Sequence, residues 1–128
     1  MKKLILALGV FATVTTQAAT QLNCQMNEFK DGQNTVQQFV VQEDPSNPHG
    51  QMYFFRSTVF PEVSGFVSLM YRDGKNFAVF NLYSEALQSG TSSQHQLVVQ
   101  DQHLQHQMII PSSSLQLSGI EITCKGSL

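Results

Sequence analysis

Past residue 20 the chain is built from short runs in which apolar and polar side chains alternate, and no window keeps an apolar stripe at helical spacing between helix caps. Alternation with period two puts successive side chains on opposite faces of an extended strand, so the pattern predicts half-buried sheet. The runs place strands at about 22–30, 35–43, 51–60, 66–72, 77–84, 94–100, 107–110 and 115–125. Turn residues separate most of them: Asp31-Gly32-Gln33-Asn34, the stretch 44–50 with its two prolines, 61–65, and Asp73-Gly74-Lys75-Asn76. The expected fold is therefore all-β, a small antiparallel β-barrel or β-sandwich of about eight strands.

The clearest hairpin flanks Gly74-Lys75. A turn there sets Tyr71 opposite Ala78, Leu69 opposite Phe80 and Val67 opposite Leu82 on one apolar face. The other face carries Phe66, Ser68 and Met70 against Tyr83, Asn81 and Val79, which is less polar than a freely solvated face. Another segment or a partner is expected to cover part of it.

At the two ends of the domain, Leu22, Cys24 and Met26 share one face, as do Ile120, Ile122 and Cys124. The first and last strands are thus expected to be neighbours joined by a buried Cys24–Cys124 disulfide. Leu115 and Leu117 have the opposite parity from Ile120 and Ile122, and a glycine bulge at Ser118-Gly119 is expected to restore the phase. The segment 85–93 reads as a short helix or a loop, with Ser89 to Ser93 as a mobile stretch.

Ahead of this domain stand Lys2-Lys3, an apolar run from Leu4 to Val14, and Ala18-Ala19, the layout of a signal peptide over residues 1–19. Residues 20–128 then form a single β domain. The apolar run is far shorter than the ~20 helical residues needed to cross a bilayer, and no second run follows, so no transmembrane anchor is expected. The compartment is periplasmic or secreted, where a pair of cysteines is found bonded. Closing a loop of about 100 residues is worth on the order of 4 to 5 kcal/mol in the chain-entropy account.

Without Lys2 and Lys3 the chain keeps five scattered bases against nine acids, a net charge of −4. Phosphate-backbone binding needs clustered positive charge, so nucleic acid is not an expected partner.

Candidate chemistry is sparse. His95, His103 and His106 lie close in sequence, but pairing of 97–99 with 108–110 would leave His103 and His106 in a connecting loop and His95 at the far end of a strand. No metal site and no cofactor are expected; a two-histidine surface site at His103 and His106 is the alternative to solvated loop residues. The serines fall mainly in turns, no Gly-x-Ser-x-Gly elbow occurs, and Glu43-Asp44 adjoin a proline-rich turn, so no catalytic residue is assigned.

The aromatic run Tyr53-Phe54-Phe55 must divide between the two faces of one strand. An aromatic core accounts for one face; a partly exposed surface in which Tyr53, Phe55, Arg56 and Tyr83 contact a protein, a glycan or a small apolar ligand accounts for the other. In size, export signal and cysteine placement the chain resembles the small periplasmic β-barrel lysozyme inhibitors of the C-type class. The resemblance stops short of motifs: Ser64-Gly65 followed by Tyr71 and Gly74 is a common pattern and the chain has no Trp, so no inhibitory residue is carried over. The expected function is an exported, non-enzymatic, protein-binding module at the bacterial cell envelope. The alternatives are a small-ligand carrier with an apolar cavity and an envelope hydrolase with a spatially assembled site.

Overall fold

A computed structural model of the chain describes residues 20–43, 46, 51–112 and 116–127. The expected export signal, His49 with most of the 44–50 turn, and Leu115 lie outside the described residues.

Eight strands form, in chain order β1 (Gln21–Lys30), β2 (Gln33–Gln42), β3 (Met52–Arg56), β4 (Val63–Arg72), β5 (Lys75–Ser84), β6 (Ser89–Gln96), β7 (Gln102–Ile109) and β8 (Gly119–Ser127). They build two four-stranded antiparallel sheets: sheet A in the order β2-β1-β8-β7 and sheet B in the order β3-β4-β5-β6. Among the described residues no ladder joins the sheets, so the architecture is sandwich-like and a closed barrel is not seen. No helix forms among the described residues, and so none is long and apolar enough to cross a membrane.

Two hairpins turn on the same dipeptide. Asp31-Gly32 and Asp73-Gly74 all have positive φ, at 52°, 80°, 55° and 75°, which is the two-residue turn whose twist matches that of the flanking strands. Because the second turn centres on Asp73-Gly74 rather than Gly74-Lys75, the register shifts by two residues from the expected one. Leu69 lies opposite Ala78, Val67 opposite Phe80 and Gly65 opposite Leu82, while Tyr71 faces Asn76 and is exposed. The inward face survives this shift, because a slip of two preserves parity.

The terminal strands meet as expected. Cys24 and Cys124 are direct cross-strand partners with Cα atoms 4.1 Å apart, and their disulfide sits in the core with Leu22, Met26, Ile120 and Ile122. The expected bulge at Ser118-Gly119 is absent: β8 begins at Gly119 after Ile110 N–H donates to the Ser118 carbonyl. A Cβ at Gly119 would run into the Met108 carbonyl, so the backbones approach there more closely than a side chain permits. Leu117, ahead of the strand, is exposed.

Two further expectations are corrected. Residues 85–88 form a turn, and Ser89 to Ser93 are not a mobile stretch but the first half of β6, paired residue by residue with β5. Hydrogen bonds along the β5 edge hold this polar segment in place, which its weak apolar pattern did not announce. The other correction concerns the segment after β6. Residues 97–101 cross from one sheet to the other instead of forming a hairpin with 108–110, so His103 and His106 lie in β7 and not in a loop.

The third strand also stops early, at Arg56, because a buried carboxylate reaches across from the other sheet. Glu28, on the inward face of β1 and only 1% exposed, accepts the Ser57 hydroxyl at 2.5 Å and the Val59 N–H at 3.1 Å. Ser57 Oγ in turn accepts the Phe60 N–H, so one carboxylate oxygen organises the whole 57–60 turn.

Candidate functional site

The outer faces of the two sheets differ sharply in chemistry. On sheet A the outward residues of the central strands are Asn23, Gln25, Asn27, Glu121, Thr123 and Lys125, all exposed or half-buried. An open depression of about 470 Å³ lies over this face, lined by Asn23, Gln25, Gln38, His103 and Lys125 with the disulfide beneath it. The same outer face also carries Val36 and Val40 of β2 and Ile109 of β7, all exposed, so amides and aliphatic side chains are mixed across it.

On sheet B the outward face is apolar across three strands. Cross-strand pairing sets Phe54 beside Phe66, with ring centroids 5.9 Å apart, and Met52 beside Ser68, while Met70 and Phe77 form the next row. Phe54 is 70% exposed, Met52 and Tyr83 are exposed, and Phe66, Met70, Phe77 and Val79 are half-buried. The apolar character ends at β6, whose outward residues are Ser92, Gln94 and Gln96. Arg56 stands at one end of the face and Arg72 and Lys75 at the other, with the Arg72 guanidinium 5.5 Å from the centre of the Phe77 ring.

The four residues singled out from sequence do not all belong to this face. Tyr53 and Phe55 point inward and pack against the core; Tyr53 stacks on Phe39 with centroids 4.1 Å apart, and Phe55 covers Gly65. Both stay partly exposed, while the outward aromatic of β3 is Phe54. The reason is the pairing register. Gly65 lacks a side chain, and a Cβ there would strike the Phe55 ring, so the inward side of β4 has room for an aromatic from the neighbouring strand. Arg56 and Tyr83 do lie on the outward face; Arg56 donates to the Pro61 carbonyl at 2.7 Å and pairs with Glu85 at 3.8 Å, both side chains well exposed. An exposed pair of this kind contributes little to stability, which leaves the guanidinium open to exchange partners.

Two polar clusters sit inside the sandwich. His106 of β7, 9% exposed, bridges the sheets: its two ring nitrogens lie 2.8 Å from the Thr91 and Ser93 hydroxyls of β6. Its ring stacks on Phe80, and His95 meets the same Phe80 edge-on. Burial lowers the His106 pKa from the ordinary 6.5, with His95 adding to the lowering and a hydrogen bond to the Thr91 backbone opposing it. The neutral ring, one nitrogen donating and the other accepting, suits the two hydroxyls. The second cluster is Glu28 with Ser57, beside a recess of about 200 Å³ lined also by Lys30, Asp31, Gln33 and Thr35.

Neither cluster assembles a recognisable reaction centre. Ser93 and Thr91 have a histidine at hydrogen-bond distance but lie in the seam between sheets, and no group of three His, Cys, Asp or Glu residues positioned for a metal occurs among the described residues. Their geometry is that of ties between layers. Phe66 was read from sequence as part of a face too apolar to be freely solvated, but Phe54 and Glu28 were not singled out, although the signal for Glu28 was present: the alternation of Leu22, Cys24 and Met26 carries it to the inward face. Comparison with known proteins finds no matching family, no matching curated relative and no matching solved structure.

Proposed function

We propose that this chain is an exported binding module that engages another protein at the bacterial cell envelope through the outer face of sheet B. The observation that carries the reading is the apolar surface running from Met52 and Phe54 across Phe66 and Met70 to Phe77, with Phe54 70% exposed. Contiguous apolar surface with cationic ends is characteristic of a protein contact, in which buried aromatic anchors and Arg supply most of the affinity. The signal-like N-terminus and the Cys24–Cys124 disulfide support an oxidising compartment outside the cytoplasm.

The test is retention of an envelope protein by the mature, oxidised domain used as bait. Phe54→Asp is expected to abolish retention, whereas Gln25→Asp on the amide face is expected to leave it intact. Equal retention by both variants overturns the reading.

A further inference from the structure

The inward positions of the first hairpin change character partway along it. On β1 they run Leu22, Cys24 and Met26, then Glu28 and Lys30; on β2 they run Val41 and Phe39, then Gln37, Thr35 and Gln33. Pairing sets Glu28 opposite Thr35 and Lys30 opposite Gln33. The apolar half of the hairpin therefore closes the core, and the polar half forms one side of the recess of about 200 Å³. Val59, in the turn after β3, contributes to the lining from the other sheet. Lys30, Asp31, Gln33 and Thr35 are exposed and frame the mouth, whereas Glu28 is 1% exposed and forms the floor.

Glu28 is only half satisfied there. Its Oε2 accepts the Ser57 hydroxyl and the Val59 N–H, but its Oε1 is shielded from bulk solvent and has no hydrogen-bond partner. No cation of the chain compensates it: among the described residues the one salt bridge joins Arg56 and Glu85, and the Lys30 ammonium lies 5.7 Å from the centre of the Phe60 ring. A buried carboxylate without donor or counter-charge on one oxygen is strongly unfavourable, and a group that supplies both is correspondingly favoured. Other buried polar atoms of the described residues lack partners too, on Asn27, Ser68, Asn76, His95 and Ser118. None of these is a carboxylate, and none of these residues lines the recess or the depression over sheet A. Glu28 couples an unpartnered acidic oxygen to an opening far larger than the ~30 Å³ of a single water.

We propose that this recess is a binding site for a primary alkylammonium group, with Glu28 Oε1 as its anchoring acceptor. A guanidinium pairs best with both oxygens of a carboxylate, and Oε2 is already taken. An ammonium is a compact charge with three donors: one goes to Glu28 Oε1, leaving two for the Thr35 hydroxyl and the Gln33 amide oxygen. Val59 offers apolar contact to the alkyl stem. The lining holds two carboxylates, and no group of three His, Cys, Asp or Glu residues suited to a metal occurs among the described residues. A free amine and the lysine side chain of another protein present the same chemistry to this site. The proposal is independent of the contact assigned to the outer face of sheet B.

The test titrates the oxidised domain with n-butylammonium and follows backbone amide signals by NMR. Saturable shifts at Thr35 and Val59 are expected. n-Butanol, which has the stem without the charge, and tetramethylammonium, which has the charge without N–H donors, should produce neither. Glu28→Gln keeps an oxygen for Ser57 and Val59 but presents an uncharged amide to the recess, and should weaken binding by about tenfold or more. Thr35→Val should weaken it by a smaller factor; the position is exposed and valine suits a strand, so this variant decides the matter even if Glu28→Gln fails to fold.

Shifts of the same kind with Nα-acetyl-lysine methylamide support the site and extend it to lysine side chains; shifts with butylammonium alone support it for free amines. Absence of saturable shifts overturns the proposal and leaves solvent as the occupant. Equal shifts with tetramethylammonium, or an affinity that neither substitution changes, overturn it in favour of general attraction to an acidic chain.

Discussion

The outer faces of sheets A and B are built from the same number of strands, with the same antiparallel pairing, yet one mixes amides with the aliphatic Val36, Val40 and Ile109 while the other carries the aromatic pair Phe54 and Phe66. Each sheet buries its inner face in a shared core that includes Leu22, Met26, Val67, Phe80 and Ile122. Folding therefore demands nothing apolar of either outer face. Exposed aliphatic side chains occur on the outer face of sheet A as well, so it is the paired rings of Phe54 and Phe66, rather than apolar area alone, that set the outer face of sheet B apart. The contrast also separates stability from binding. Sheet A holds the disulfide and supplies the buried Glu28 and His106, whereas sheet B carries Phe54 and Phe66 on its outer face.

The largest effect is expected from breaking sheet A from within. Cys24→Ser with Cys124→Ser removes a cross-link spanning 100 residues and should lower unfolding free energy by about 4 kcal/mol, read as a fall in denaturant midpoint. If the two faces are independent, the surviving folded fraction still binds through sheet B. Next is Glu28→Ala, which leaves the Ser57 hydroxyl and Val59 N–H without their acceptor and should cost on the order of 1 to 3 kcal/mol. That turn follows β3 directly, so its loosening should show as faster amide exchange at residues 57–60.

On the other side of the comparison, Phe66→Ser should weaken partner retention at least tenfold with only a small change in thermal midpoint. A large fall in midpoint would instead make Phe66 part of the stability machinery and blur the division between the faces. The smallest effect is expected at the seam. The folded-state pKa of His106 is lowered, so as pH falls the unfolded chain takes up its proton first. The His106 contribution to stability is full above 6.5, is lost as pH drops through that value toward the lower folded one, and is constant below it. His106→Gln should flatten this part of the stability profile, measured by denaturation between mildly alkaline and mildly acidic pH.

How far the sequence carried these assignments varied with the kind of information needed. Strand identity and inward parity came from alternation alone: Val67, Leu69, Ala78, Phe80 and Leu82 face the core although the hairpin register differed by two. Parity fails as a guide when three aromatics are consecutive. Tyr53-Phe54-Phe55 satisfies either face, and only the position of Gly65 on β4 draws Phe55 inward and turns Phe54 to solvent. The histidines posed a different difficulty. His95 and His106 belong to different sheets, and they meet at Phe80 only because the layers stack.

By itself, then, the sequence determined an all-β chain with its first and last strands joined through Cys24 and Cys124, because strand periodicity and cysteine spacing are local or end-to-end properties of the chain. The tertiary structure decided the two-sheet arrangement, the interior ties at Glu28 and His106, and which aromatic of β3 faces outward. Those depend on strand order and on how two sheets pack face to face, and the free energy of that packing is shared among residues far apart in sequence.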